Sequence, residues 1–243
     1  GSGKTKVLTS RIAHILTENK AFSSQILSVT FTNKAAREMQ NRVSKILDDK
    51  QVGLPWLGTF HSICAKILRR HARAVNLNQN FTIIDQDDQL RLIKSICVSE
   101  NIDTKKISPN YIIALIKKWK NFGWYPDDVV LKKSENLEKN LLKIYNIYQA
   151  KLTNLNVCDF GDLILHCVAI LEKNQDINEM YSKNFKYILV DEYQDTNLIQ
   201  SKWLKLLTKN HDNICCVGDD DQSIYSWRGA EIRDFLAFGN IYK

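Results

Sequence analysis

Five residues at the start of the chain, Gly1-Ser2-Gly3-Lys4-Thr5, have the types and order that hold a polyphosphate. Gly1 and Gly3, with Ser2 between them, let backbone N–H groups approach phosphate oxygens without a clashing Cβ. A helix begun just after this loop would point its N-terminus at the anion. Lys4 then serves as a point charge between β and γ phosphates, and the Thr5 hydroxyl as a ligand of Mg²⁺. A second group lies far along the chain. The stretch ILVDEYQDTN (188–197) runs an apolar, β-branched strand directly into Asp191, Glu192 and Asp195. Carboxylates at the edge of a core are costly unless a cation sits among them. A metal-bound triphosphate supplies that cation: Asp191 anchors the Mg²⁺ held by Thr5, through water, and Glu192 acts as general base toward an attacking water. The third group is VGDDDQSIYSWRGA (217–230). Gln222 follows a strand that ends in acids and has the reach for a γ-phosphate and the attacking water. Tyr225, Trp227 and Arg228 alternate aromatic rings with a cation in a polar loop, a pattern suited to stacking on unpaired bases.

The elements that must position these residues read as an open α/β sheet. ILSVTF (26–31) is a strand followed by the capping residues Thr32 and Asn33, and Ala36, Met39, Val43, Ile46 and Leu47 then recur at helical spacing with one buried face. GTFHSICAKILRRHA (58–72) passes from a short apolar stretch into a helix, and YILV (187–190) and ICCVGD (214–219) are short strands ending in acids. Polar residues at the carboxyl ends of parallel strands mark the ligand edge of such a sheet. From about residue 78 to 155 the chain reads as helix after helix, with Asp85 as one cap, Ser108-Pro109 as another, and a long amphipathic run through Leu137, Leu141, Ile144, Tyr145, Tyr148 and Leu152. The expected organisation is a nucleotide-binding α/β domain over 1–77 and 156–243, interrupted by a helical insertion over 78–155. Lys105, Lys106, Lys117, Lys118, Lys120, Lys132 and Lys133 crowd the insertion and read as a solvated face, with contact to a phosphate backbone as the alternative.

Of the 243 residues, 44% are hydrophobic and 25% charged, an ordinary globular balance, and the formal net charge of +7 suits a polyanionic partner. No apolar run approaches the roughly 18 residues of a membrane span, and no signal-peptide pattern opens the chain. The six cysteines form no CxxC pair, so zinc is not expected; they read as reduced thiols of a cytoplasmic protein, with Cys215 and Cys216 as core packing. Residue 1 already lies inside a motif and no initiator Met precedes it, which reads as a fragment.

Taken together, GSGKT, VTFTNKAAREM, GTFHS, VDEYQDTN and VGDDDQSIYSWRGA resemble, in order and spacing, the superfamily 1 DNA helicases of the UvrD/Rep/PcrA type. CDFGDLI (158–164) is similar to a further family block, with Gly161 where an acid usually stands and a turn altered there. The resemblance covers nearly the whole chain. It implies a RecA-like P-loop domain with an inserted helical subdomain reaching toward duplex DNA. By the same resemblance Lys4, Thr5, Asp191, Glu192 and Gln222 are ATPase positions using ATP and Mg²⁺. Phe31 and Asn33, Thr59 and His61, and Tyr225, Trp227 and Arg228 are positions on single-stranded DNA. The implied activity is ATP-driven 3′ to 5′ movement on single-stranded DNA and at single-strand/duplex junctions, in repair or replication, in a bacterial, nucleoid-associated setting. The family's second RecA-like half, which closes the ATP cleft and supplies arginines to the γ-phosphate, is expected to be needed for activity. Alternatives are an inactive module that grips single-stranded DNA, or the motor part of a helicase-nuclease.

Overall fold

The computed structural model describes residues 3–48, 53–130 and 136–219. In chain order the elements are α1 (Lys4–Thr17), β1 (Ile26–Thr30), α2 (Asn33–Ile46), β2 (Leu57–Thr59), α3 (Phe60–His71), β3 (Thr82–Ile83), α4 (Gln86–Ser99), α5 (Pro109–Asn121), α6 (Asn136–Asn154), β4 (Val157–Cys158), α7 (Phe160–Lys173), α8 (Gln175–Asn184), β5 (Tyr187–Val190), α9 (Leu198–Leu207) and β6 (Ile214–Cys216). The expected α/β class holds. A four-stranded sheet runs in the order β2-β1-β5-β6, with all three pairings parallel.

Alternation along the strands sorts side chains onto two faces. Leu27, Val29, Ile188 and Val190 join Phe60, Ile63, Ile67, Val168, Trp203 and Leu204 in one core, between the sheet and α3, α7 and α9. Ile26 and Leu189 face the other way and pack with Leu8, Ile12 and Ile15 of α1 and Met39 and Val43 of α2. Helices therefore cover both faces, as a parallel sheet requires. Because the strands are parallel, their carboxyl ends share one edge, and the polar residues that follow each strand are brought together there.

Most helix starts follow the capping chemistry of the sequence. Thr32, Thr59, Asp85, Ser108, Asp159 and Asn197 each accept a hydrogen bond from a first-turn backbone N–H, and Pro109 stands at the first helical position. Asn33, offered above as a cap alongside Thr32, is instead the first residue of α2. Ile46 also departs from expectation: it is 52% exposed, because the helical stripe drifts off the core at the last turn. The long insertion helix is α6, in which Leu141, Ile144, Tyr145, Tyr148 and Leu152 are buried with Ile93, Ile96 and Cys97 of α4 and Ile112, Ile116 and Trp119 of α5. The stretch 78–155 is not wholly helical. β3 pairs in parallel with β4, Thr82 opposite Val157 and Ile83 opposite Cys158. All six cysteines are free; Cys215 and Cys216 are half-buried on the sheet's last described strand rather than fully in the core. Among the described residues no helix is long and apolar enough to cross a membrane.

Candidate functional site

At the carboxyl edge of the sheet the phosphate-loop residues meet the acids from the far end of the chain. Gly3 adopts φ 56°, a left-handed conformation natural to glycine, and α1 starts at the next residue. The Thr5 Oγ1 donates to Asp191 Oδ2 at 3.4 Å, across 186 residues of sequence. Lys4 Nζ forms an ion pair with Asp219 Oδ2 at 3.0 Å. Asp191 leaves β5 with its backbone N–H donated to Val29 O, and burial followed by the neighbouring Glu192 charge lifts its carboxyl above the ordinary range. Glu192 takes φ 52°, an uncommon left-handed conformation for a residue with a Cβ and one that often accompanies functional turns. Its Oε2 accepts from Gln194 Nε2 at 2.8 Å, and Gln194 Oε1 accepts the Asp219 N–H at 3.0 Å.

This arrangement fits Mg²⁺ carried on a triphosphate. The Thr5 hydroxyl and the Asp191 carboxylate are two hard oxygen donors in contact, the number Mg²⁺ takes from protein when phosphate oxygens and water complete its shell. Among the described residues no group of three or more His, Cys, Asp or Glu is placed to hold a metal, so an all-protein cage is not what these residues offer.

A second set of residues lies along the same edge, after β1 and β2. Phe31 is half-buried and packs against Phe60, ring centroids 5.4 Å apart at 59°, while Asn33 is exposed. The Thr59 hydroxyl accepts the Ser62 N–H at 3.2 Å as the cap of α3. His61 is half-buried, with its ring edge-on to Phe160 at 5.9 Å. Burial, then the Lys117 charge, lowers its pKa to about 4, so this imidazole is neutral at physiological pH. Phe160, at the first position of α7, is 54% exposed although aromatic. Sequence reasoning gave Phe160 no role; its place inside CDFGDLI was the available signal. Gly1, Ser2, Gln222, Tyr225, Trp227 and Arg228 lie outside the described residues, as do Lys132 and Lys133 of the basic cluster.

One lysine of that cluster is not on the surface. Lys120 is 1% exposed, and its Nζ donates to Asp159 Oδ2 and Asp162 Oδ1, both at 2.7 Å. Tyr148 O–H and Gln89 Nε2 also donate to Asp159 Oδ2, and Gln149 Nε2 to Asp162 Oδ1. Burial works to lower the Lys120 pKa, but the two aspartate charges override it and hold the ammonium above its usual value. The same pairing, against the cost of burial, holds Asp162 below the usual carboxylate range. Gly161 makes room for this lysine: a Cβ there would stand 2.9 Å from Lys120 Cδ. Gly161 therefore serves packing against α5, and it lies within α7 rather than in a turn. Lys120 falls on the helix face of Ile112, Ile116 and Trp119, and that spacing was the signal that it points inward.

Comparison with known proteins agrees with this geometry. The profile described as UvrD/REP helicase N-terminal domain matches residues 1–243. The chain is 47% identical over 241 residues to a protein of Rickettsia conorii named probable DNA helicase II homolog, covering 98% of the chain and 36% of that protein. A DNA helicase II of Rickettsia typhi is 48% identical over 242 residues, again with 98% of the chain and 36% of the relative covered. The ATP-dependent DNA helicase PcrA of Staphylococcus aureus strain Mu50 is 45% identical over 242 residues, with 100% of the chain and 33% of the relative covered. The chain thus spans about a third of the length of these relatives. It belongs to the UvrD/REP helicase family, matching the family's N-terminal domain along its entire length.

Proposed function

We propose that the chain is the first motor half of an ATP-dependent DNA helicase, moving 3′ to 5′ on single-stranded DNA and acting at single-strand/duplex junctions. The observation that carries this reading is the meeting of Thr5 with Asp191 at the sheet edge, beside Lys4 and Glu192. Gly1, Ser2, Gly3 and Lys4 hold the phosphates, and Thr5 and Asp191 hold Mg²⁺, which neutralises charge developing on the transferred phosphoryl group. Glu192 accepts a proton from the attacking water, and Gln222 orients that water. Phe31, Asn33, Thr59, His61, Tyr225, Trp227 and Arg228 form the single-stranded DNA face, to which the exposed ring of Phe160 is added. Residues 1–77 and 156–243 form the ATP-binding domain and 78–155 the helical insertion, whose separate core of Ile93, Ile116 and Tyr145 supports that division.

The test is a chain extended to the length of its relatives, assayed with single-stranded DNA and Mg²⁺-ATP. Glu192→Gln abolishes hydrolysis and spares nucleotide binding; full turnover in that variant removes Glu192 from the role of base. A second reading, for the 243 residues assayed by themselves, is a non-catalytic module that grips single-stranded DNA. A missing arginine contact to the γ-phosphate costs about 10³ to 10⁵ in rate. ATPase and DNA affinity measured on one sample separate the two readings.

A further inference from the structure

Asp159 and Asp162 bracket the start of α7, and each divides its carboxylate between two tasks. Asp159 Oδ1 accepts the Asp162 N–H at 2.9 Å, and Asp162 Oδ2 accepts the Asp159 N–H at 3.1 Å, which closes a reciprocal cap on the helix. The other oxygen of each turns to the helices of 78–155. Asp159 Oδ2 accepts from Gln89 Nε2 of α4 at 3.2 Å, Lys120 Nζ of α5 at 2.7 Å and the Tyr148 hydroxyl of α6 at 2.9 Å. Asp162 Oδ1 accepts from Lys120 Nζ at 2.7 Å and from Gln149 Nε2 of α6 at 2.9 Å. Helices α4, α5 and α6 thus each send a donor to the first turn of α7, a helix that packs on the sheet through Ile164, Leu165 and Val168.

Phe160 stands between the two acids in sequence, as the first residue of α7. Its ring is 54% exposed although Asp159 and Asp162 are 4% and 0% exposed. The ring lies edge-on to His61 in the first turn of α3, which follows β2 at the carboxyl edge of the sheet. Lys120 runs beneath the same turn, close enough that a Cβ on Gly161 would stand 2.9 Å from its Cδ. The backbone on both sides of Phe160 is therefore fixed by caps that are themselves held from α4, α5 and α6. Burying an ammonium and two carboxylates to join helices is a poor source of stability, since apolar residues of similar volume would often serve as well or better. What directed hydrogen bonds add is a defined orientation. We propose that Lys120 and Tyr148 are positioning residues for DNA: through Asp159 and Asp162 they set the direction in which α7 presents the Phe160 ring to an unpaired base. This rests on the function proposed above, with Phe160 on its single-stranded DNA face.

The experiment is a double-mutant cycle on DNA affinity. Binding of a labelled oligothymidylate of about 16 nucleotides is measured by anisotropy for the unaltered chain, Lys120→Met, Tyr148→Phe and Phe160→Ala, and for each of the first two variants combined with Phe160→Ala. Loss of one stacking ring weakens binding about 5- to 150-fold. Lys120→Met is expected to forfeit at least about fivefold of this, and Tyr148→Phe, which changes neither charge nor shape, about two- to threefold. Neither adds more than about 1.5-fold once Phe160 is alanine, because the ring through which they act is gone. Affinity for Mg²⁺-AMP-PNP stays within about twofold in Lys120→Met and Tyr148→Phe, since the phosphate site is built on other elements. A role in general stability, or the loss of one positive charge near the strand, would weaken binding by the same factor with or without the Phe160 ring, and that result overturns the inference. Unchanged DNA affinity in Lys120→Met and Tyr148→Phe overturns it too, as does unchanged affinity in Phe160→Ala, and in each case the nucleotide site stands. Should Lys120→Met fail to fold, the Tyr148→Phe cycle decides by itself. Failure of the unaltered chain to bind oligothymidylate and Mg²⁺-AMP-PNP sinks the functional reading, and the inference with it.

Discussion

Replacing Lys120 by methionine tests the polar joint between α5 and α7. The substitution keeps most of the aliphatic volume that lies over Gly161 and removes the ammonium 2.7 Å from both Asp159 and Asp162. Those carboxylates are 4% and 0% exposed, so water cannot replace the lost partner. Breaking a buried pair on one side costs about 3–5 kcal/mol. Tyr148, Gln89, Gln149 and the backbone N–H groups of Asp159 and Asp162 still donate to the acids, which places the expected loss near the lower end, about 3 kcal/mol. That is a large share of a domain's usual 5–15 kcal/mol, roughly. Urea denaturation at pH 7 reads it as a lowered midpoint with an unchanged slope. The deficit also has a definite pH dependence. In the unaltered chain Asp162 is held below its unfolded value, so its contribution is present at neutral pH and is lost as pH falls through the folded value. Without Lys120 the largest charge that holds Asp162 down is gone while its burial remains, so its carboxyl rises, and the gap between the two proteins is widest near neutrality and narrows on acidification. His166 also faces Asp162, its Nε2 3.8 Å from Asp162 Oδ1, with its Nδ1 at 2.6 Å from the Tyr125 hydroxyl. Removing the whole set by adding Asp159→Asn and Asp162→Asn should recover part of the loss, because asparagine still caps α7. A loss below about 1 kcal/mol for Lys120→Met would show that the joint is solvated, and the reasoning would fail.

Further outcomes follow from the same geometry. Gly161→Ala drives a Cβ to 2.9 Å from a lysine tethered at its far end, so it lowers stability by about 1–3 kcal/mol in the same urea assay; no loss would mean that Lys120 is free to move aside. His61 titrates near pH 4 in an NMR pH series, and because its folded value lies below its unfolded one, stability falls as pH drops from about 6.5 toward 4; an ordinary titration near 6.5 contradicts the burial argument. Phe160→Ala weakens oligothymidylate binding by about 1–3 kcal/mol with little effect on AMP-PNP affinity; unchanged DNA affinity removes Phe160 from the DNA face. The 243 residues alone show little or no DNA-stimulated ATPase, measured as phosphate release, and robust turnover refutes the need for a second half.

The parts of this fold that could be read from sequence are those where local chemistry and tertiary need coincide. β1 and β5 are mostly apolar runs because both faces of a parallel sheet are covered, and the acids after Val190 announce the ligand edge. Thr32, Thr59, Asp85 and Ser108 cap helices for reasons contained in their own side chains. What stayed hidden depends on distant partners. The β3–β4 pairing joins two residues at 82–83 to two at 157–158, too short for periodicity to register. Lys120 sits among surface lysines, and only its partners on α7 explain why it is buried. Asp219 and Gln194 stood within quoted motifs, yet their contact with Lys4 and Glu192 exists only once β5 and β6 are side by side.

The most direct test of the account is equilibrium binding of Mg²⁺-AMP-PNP to this chain and to Lys4→Ala, Asp191→Asn and Glu192→Gln. A charge-assisted contact to phosphate is worth about 1.5–3 kcal/mol, so Lys4→Ala is expected to weaken binding by about 10- to 150-fold. Asp191→Asn weakens it only when Mg²⁺ is present, and Glu192→Gln leaves it nearly unchanged. Equal affinity in the unaltered chain and Lys4→Ala, or Asp191→Asn binding that ignores Mg²⁺, would contradict the claim that these distant residues build one nucleotide site.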